Sequence, residues 1–118
     1  MKFLGKGLSC SSKEDALGEL IYIKTVQDVI ALFDNAQGKI CFVQDAGTTT
    51  LGPILSDIEG VVCTTGGPGS HLAIVSREFD IPCIMAIDIK TDKLPQLHGK
   101  NVKIRTEDQD WGVLYLVD

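Results

Sequence analysis

One segment of the chain carries residue types at a spacing that can do chemistry: Thr64-Thr65-Gly66-Gly67-Pro68-Gly69-Ser70-His71-Leu72-Ala73-Ile74-Val75-Ser76-Arg77-Glu78-Phe79. The apolar run 60–64 reads as a buried strand. Three glycines then turn the chain, and a helix over 70–79 begins with His71 in its first turn, stopped by Pro82. A helix start offers unpaired backbone N–H groups and the positive end of the helix dipole, which together attract a phosphate. Glycines let the backbone come close to a bulky anion and take positive φ. The same dipole end favours a neutral imidazole, the form with a nucleophilic nitrogen. This reading makes His71 a phosphoryl acceptor, with Gly66, Gly67, Gly69 and Ser70 cradling the phosphate. The plain alternative is a structural histidine beside a turn.

Rival readings fail on residues. A P-loop needs Gly-Lys-Ser/Thr, and no lysine lies between Thr64 and Phe79. A hydrolase elbow needs glycines two before and two after its serine; around Ser70 these positions hold Pro68 and Leu72. A zinc deaminase needs H-x-E, and Ala73 stands where the acid should be. Arg77, six residues on, lies about 240° and ~9 Å from His71, so it reads as a surface or ion-paired arginine, with docking to a partner domain as its functional option. His98 reads as a surface turn residue.

The elements that must position this segment follow from pattern. Residues 18–24 read as a strand. Thr25 reads as an N-cap with Asp28 as capping-box partner, followed by Val26, Val29, Ile30 and Phe33 on one helix face and Gly38 as the stop. Residues 39–43 are a short buried strand, 44–50 a polar loop, 51–57 a short helix and 83–86 a third apolar strand. Residues 101–106 and 112–117 read as a hairpin. Alternating strands and helices predict an α/β domain, with a mostly parallel sheet flanked by helices and a C-terminal β-hairpin.

The bulk properties narrow the function. The 118 residues are one domain, 44% apolar and 23% charged. A net charge of −5 argues against nucleic acid, whose phosphates call for a basic face. No apolar run is long enough for a membrane span, and the N-terminus lacks a signal peptide's apolar stretch. Cys10, Cys41, Cys63 and Cys83 form no C-x-x-C pair and read as small buried thiols in a reducing cytosol, so the expected location is cytoplasmic.

The segment from Gly66 to Pro82 resembles the phosphohistidine signature of PEP-utilising enzymes, G-G-x-x-[ST or C]-H-x-A-I-x-[A or S]-R-E-x-G-I-P. PEP synthase, pyruvate phosphate dikinase, enzyme I of the sugar phosphotransferase system and rifampin phosphotransferase carry that signature. The likeness extends to Gly7-Leu8-Ser9-Cys10-Ser11 as an opening strand, and to Gly99-Lys100-Asn101-Val102-Lys103-Ile104 with Gly112-Val113-Leu114-Tyr115 as a closing hairpin. The resemblance implies a swivelling β/β/α unit whose histidine takes a phosphoryl group at one active site and delivers it at another. It implies Nε2 of His71 as the modified atom, with the other ring nitrogen held by a hydrogen bond. Thr50 is the candidate partner for that bond; Thr48 and Thr49 compete, and all three also fit as plain loop threonines.

Two positions depart from the pattern. Gly69 stands where many relatives carry Thr, a regulatory phosphorylation site in the dikinases, which puts such control in doubt here. Asp80 replaces the glycine before Ile-Pro and should alter only the helix C-cap. The resemblance implies no cofactor on this domain itself. It places Mg and ATP or PEP on nucleotide-binding and PEP/pyruvate-binding partner domains or subunits. These do not fit in 118 residues. The chain is therefore either an excised domain or a small carrier acting in trans, with Met1 favouring a natural start. The alternative is a non-catalytic docking module of the same fold that binds a partner kinase.

Overall fold

Residues 39–43 and 60–63 are apolar at almost every position, and a strand so composed must be covered on both faces. The computed structural model, which describes residues 1–11, 14–44, 51, 54–89, 94–108 and 110–117, shows how this is done. The described strands are β1 (Lys2–Ser9), β2 (Ala16–Tyr22), β3 (Lys39–Val43), β4 (Gly60–Cys63), β5 (Cys83–Asp88), β6 (Asn101–Glu107) and β7 (Trp111–Leu116). The described helices are α1 (Val26–Ile30), α2 (His71–Glu78) and α3 (Leu94–Leu97). The strands close into a barrel in the order β1-β5-β4-β3-β2-β6-β7. None of the described helices is long and apolar enough to cross a membrane.

Strand alternation splits the core in two. Leu20, Ile40, Phe42, Val62, Ile84, Val102, Ile104 and Leu114 form one buried cluster, contributed from around the barrel, and fill its interior. Cys41, Val43, Val61, Cys63, Cys83 and Met85 point outward beneath the helices, packed with Val29 and Leu32 of the α1 region and Leu72 and Ala73 of α2. The double coverage explains why β3 beyond Lys39 and all of β4 lack polar residues, whereas β6 alternates between buried and more exposed positions.

The expected mostly parallel sheet flanked by helices does not form. The β2–β3, β3–β4 and β4–β5 pairs are parallel. The β1–β5, β1–β7, β2–β6 and β6–β7 pairs are antiparallel. The described helices are 5, 8 and 4 residues long, too short to flank such a sheet. The reason lies in β1. Its sequence, KFLGKGLS, mixes lysine and glycine with apolar residues and gives a weak strand signal, yet it inserts between β5 and β7 and converts an open sheet into a closed mixed barrel.

Two local expectations also change. Val29 is buried, but Ile30 and Phe33 are 52% and 51% exposed. After Ile30 the chain continues in i to i+3 bonds, Leu32 N–H to Val29 O and Phe33 N–H to Ile30 O, so the repeat tightens towards three and Leu32 takes the inward position. The expected helix over 51–57 lies partly outside the described residues. Within them, 54–57 make a tight turn in which Asp57 N–H donates to Ile54 O at 3.0 Å.

β5 carries an irregularity beside the site. Lys6 pairs with Asp88 and Leu8 with Met85, so β5 holds one extra residue. Ala86 occupies the bulge at φ 53 and is exposed. Beyond it Ile87 returns to the interior cluster with Ile84, which an unbroken alternation would forbid. Gly7 faces the bulge closely: a Cβ there would sit 2.5 Å from Met85 O and 2.8 Å from the Ile87 Cα.

Candidate functional site

β3 and β4 end on the same side of the barrel, because the two strands are parallel. The Thr64 hydroxyl donates to Gln44 O at 2.8 Å and ties the two strand ends together. Ala86 N–H donates to Thr65 O at 3.3 Å, so the β5 bulge supports the glycine loop from the other side. Gly66 has φ 86, a conformation that makes glycine the fitting residue there. Gly67 and Gly69 are not in the left-handed region, and a Cβ at either would meet nothing within 4 Å.

The loop delivers the chain into α2. Leu72 and Ala73 are 1% and 0% exposed and anchor the helix on the sheet, while His71, its first residue, faces solvent. Ser70 has N-cap backbone geometry (φ −71, ψ 154), yet its hydroxyl caps nothing. The hydroxyl donates to Gly67 O at 2.7 Å and lies 3.6 Å from the Met85 sulfur, while Ser70 N–H donates to the same Gly67 carbonyl at 3.0 Å. Among the described residues, none bonds the N–H groups of His71, Leu72 or Ala73, or the His71 ring. The helix start thus presents open donors and a solvent-facing imidazole together, an arrangement that can receive a tetrahedral anion.

The far end of α2 is closed by a Schellman motif. Ile81 N–H donates to Ser76 O at 3.0 Å and Asp80 N–H to Arg77 O at 3.2 Å, with Asp80 at φ 56. Asp80 therefore holds the left-handed C′ position, where the pattern has glycine, and its effect is on the C-cap.

Arg77 is neither ion-paired among the described residues nor simply a surface group. Its guanidinium folds back, with Nη2 donating to Pro68 O at 2.9 Å and Nη1 to Cys10 O at 3.0 Å. No local residue pattern signals this contact, since helix geometry alone turns residue 77 away from residue 71. The Ala86 bulge was equally invisible, because an alanine in an apolar run signals nothing about φ. His98 is exposed, and its Nδ1 accepts Tyr22 N–H at 3.1 Å, so it serves the end of β2. Thr50, Thr48 and Thr49 lie outside the described residues.

The four cysteines are buried and none is in a disulfide. Burial pushes Cys41 and Cys83 up to about 12, so neither is a thiolate at neutral pH, and both act as core residues under the helices.

The family model of the PEP-utilising enzyme mobile domain matches residues 35–109, a stretch that contains the glycine loop, all of α2 and β5. A pyruvate kinase from Sporosarcina psychrophila is 29% identical over 111 residues, covering 94% of this chain. The chain spans only 17% of the length of that curated relative. With more than half of its length matched, and His71 at the head of α2 within the match, the chain belongs to the PEP-utilising enzyme mobile domain family.

Proposed function

We propose that the chain is a phosphoryl carrier in which Nε2 of His71 takes a phosphoryl group from a nucleotide or PEP donor site and passes it to an acceptor site on partner domains or proteins. The observation that carries this reading is the juxtaposition at the start of α2: a solvent-facing imidazole beside helix N–H groups without bonds among the described residues. Nε2 attacks phosphorus as the donor's bond to phosphorus breaks. The ring gives up its Nδ1 proton and the leaving group takes one up. The loop and helix N–H groups face the phosphate oxygens, where fixed donors stabilise negative charge in both directions of transfer. Mg and ATP or PEP belong to the partner domains in this reading, as does the chemistry that activates the donor. The relative named pyruvate kinase, much longer than this chain, supports a phosphotransferase setting for such a partner.

Potassium phosphoramidate tests the acceptor without a partner. Its P–N bond breaks as the bond to Nε2 forms, and ammonia leaves carrying the proton released by the ring. Wild-type chain should gain one phosphoryl group, stable in base and lost in acid, because a phosphorylated imidazole leaves readily once protonated. Tandem mass spectrometry should place it on His71, and His71→Ala should not gain it. Label on His98, or full labelling of His71→Ala, would refute the assignment.

A further inference from the structure

The glycine loop is held by very little. At Gly67 and Gly69 no neighbour lies within 4 Å of a Cβ position, so packing does not fix the loop, and glycines start from the largest conformational freedom of any residue. Its ends are fastened by hydrogen bonds, Ala86 N–H to Thr65 O at the strand side and the two Ser70 donors to Gly67 O at the helix side. The apex of the loop, Pro68, has no N–H to offer. Its carbonyl is gripped by Arg77 Nη2 at 2.9 Å, while Nη1 of the same guanidinium holds Cys10 O, just past the end of β1, at 3.0 Å.

We propose, resting on the carrier reading above, that Arg77 is a positioning residue for His71. Its planar fork locks the apex of the glycine loop to the end of β1, keeping the loop in the shape that receives the phosphoryl group. A guanidinium suits this task because it offers several N–H groups in fixed geometry, remains charged at any working pH, and can bond two carbonyls from separate segments at once. A lysine ammonium reaches either carbonyl as a point donor but does not fix the angle between them. Among the described residues no carboxylate pairs with Arg77, so its donors go to backbone carbonyls.

The test uses the ¹⁵N-labelled 118-residue chain as wild type, Arg77→Lys and Arg77→Gln. Three quantities are measured: the rate of His71 labelling by phosphoramidate, the amide exchange of Gly66, Gly67 and Gly69, and the melting curve. The expected result is a cooperative melt close to wild type in both variants, faster exchange of the loop glycines, and labelling slowed about tenfold in Arg77→Gln, the scale of one lost charge-assisted hydrogen bond. Arg77→Lys should recover part of that rate at the same melting temperature, a pattern that loss of folded protein does not produce. Wild-type labelling together with wild-type loop exchange in both variants would overturn the proposal and leave the carrier reading intact. Absence of labelling in the wild type would overturn the carrier reading, and the loop amides would then still decide whether Arg77 holds the loop. If Arg77→Gln does not fold, Arg77→Lys is judged on the same measurements.

Discussion

The starts of α1 and α2 use the same kind of residue and end in opposite states. At α1, Thr25 Oγ1 accepts Asp28 N–H at 3.4 Å, and the Asp28 carboxylate accepts Thr25 N–H at 3.0 Å and Lys24 N–H at 2.8 Å. At α2, Ser70 stands in the N-cap position, but three residues on there is Ala73, which has no carboxylate to close a box, and the serine hydroxyl turns back to Gly67 O. A capped start satisfies its own donors and has no use for an outside anion. An uncapped start, backed by glycines, keeps its donors available. The difference teaches that the proposed phosphoryl site is marked by a stabilising interaction that is missing, as much as by the histidine that is present.

Closing the open end should produce the largest effect. Ser70→Asp supplies a capping carboxylate and a negative charge where the phosphate would sit. The fold should hold within ~1 kcal/mol of wild type, while phosphoramidate labelling of His71 drops about tenfold or more. Melting curves and labelling rates of the two proteins check it, and undiminished labelling would break the link between open donors and phosphate acceptance. Opening the closed end should cost stability alone: Thr25→Ala should lose about 1 kcal/mol in denaturant unfolding and label at the wild-type rate.

The box at α1 also predicts a pH signature. The backbone N–H of Lys24, followed by that of Thr25, holds the Asp28 carboxyl below its ordinary value of 3.8. A carboxyl lowered in the folded state contributes stability above its unfolded value and loses it as pH falls through the folded one. The stability difference between wild type and Asp28→Asn should therefore be level near neutrality and shrink below pH 3.8, measured by unfolding at stepped pH. The size will be modest because the group is mostly solvated. The smallest effect is expected at Gly69. It is outside the left-handed region and a Cβ meets open space, so Gly69→Thr should change stability by no more than ~0.5 kcal/mol. A larger loss in melting experiments would show that the loop depends on glycine there as well as at Gly66.

Much of the site was legible because its signals are local. The strand at 60–63, the glycine turn, the helix starting at His71 and the Thr25–Asp28 box each rest on residues within a few positions of one another. The Asp80 C-cap was legible for the same reason. The architecture was not, because β1 contacts β5 and β7 from the other end of the chain, and neither pairing leaves a periodic trace in KFLGKGLS. Phe33 turns outward, against an ideal 3.6 repeat, because past Ile30 the chain tightens into i to i+3 bonds that bring Leu32 inward.

By itself the sequence determined which histidine stands behind a glycine turn at a helix start, and that this start lacks the acid that would close a capping box. Both depend on residue identity and short spacing, which survive any packing of the chain. Tertiary structure alone decided that the sheet closes into a mixed barrel, that Ala86 takes φ 53 and lends its N–H to Thr65, and that Arg77 reaches Pro68 and Cys10 together. Each of these joins segments far apart along the chain. Such contacts are set by how strands align around a closed barrel, and no local pattern of residue types encodes that alignment.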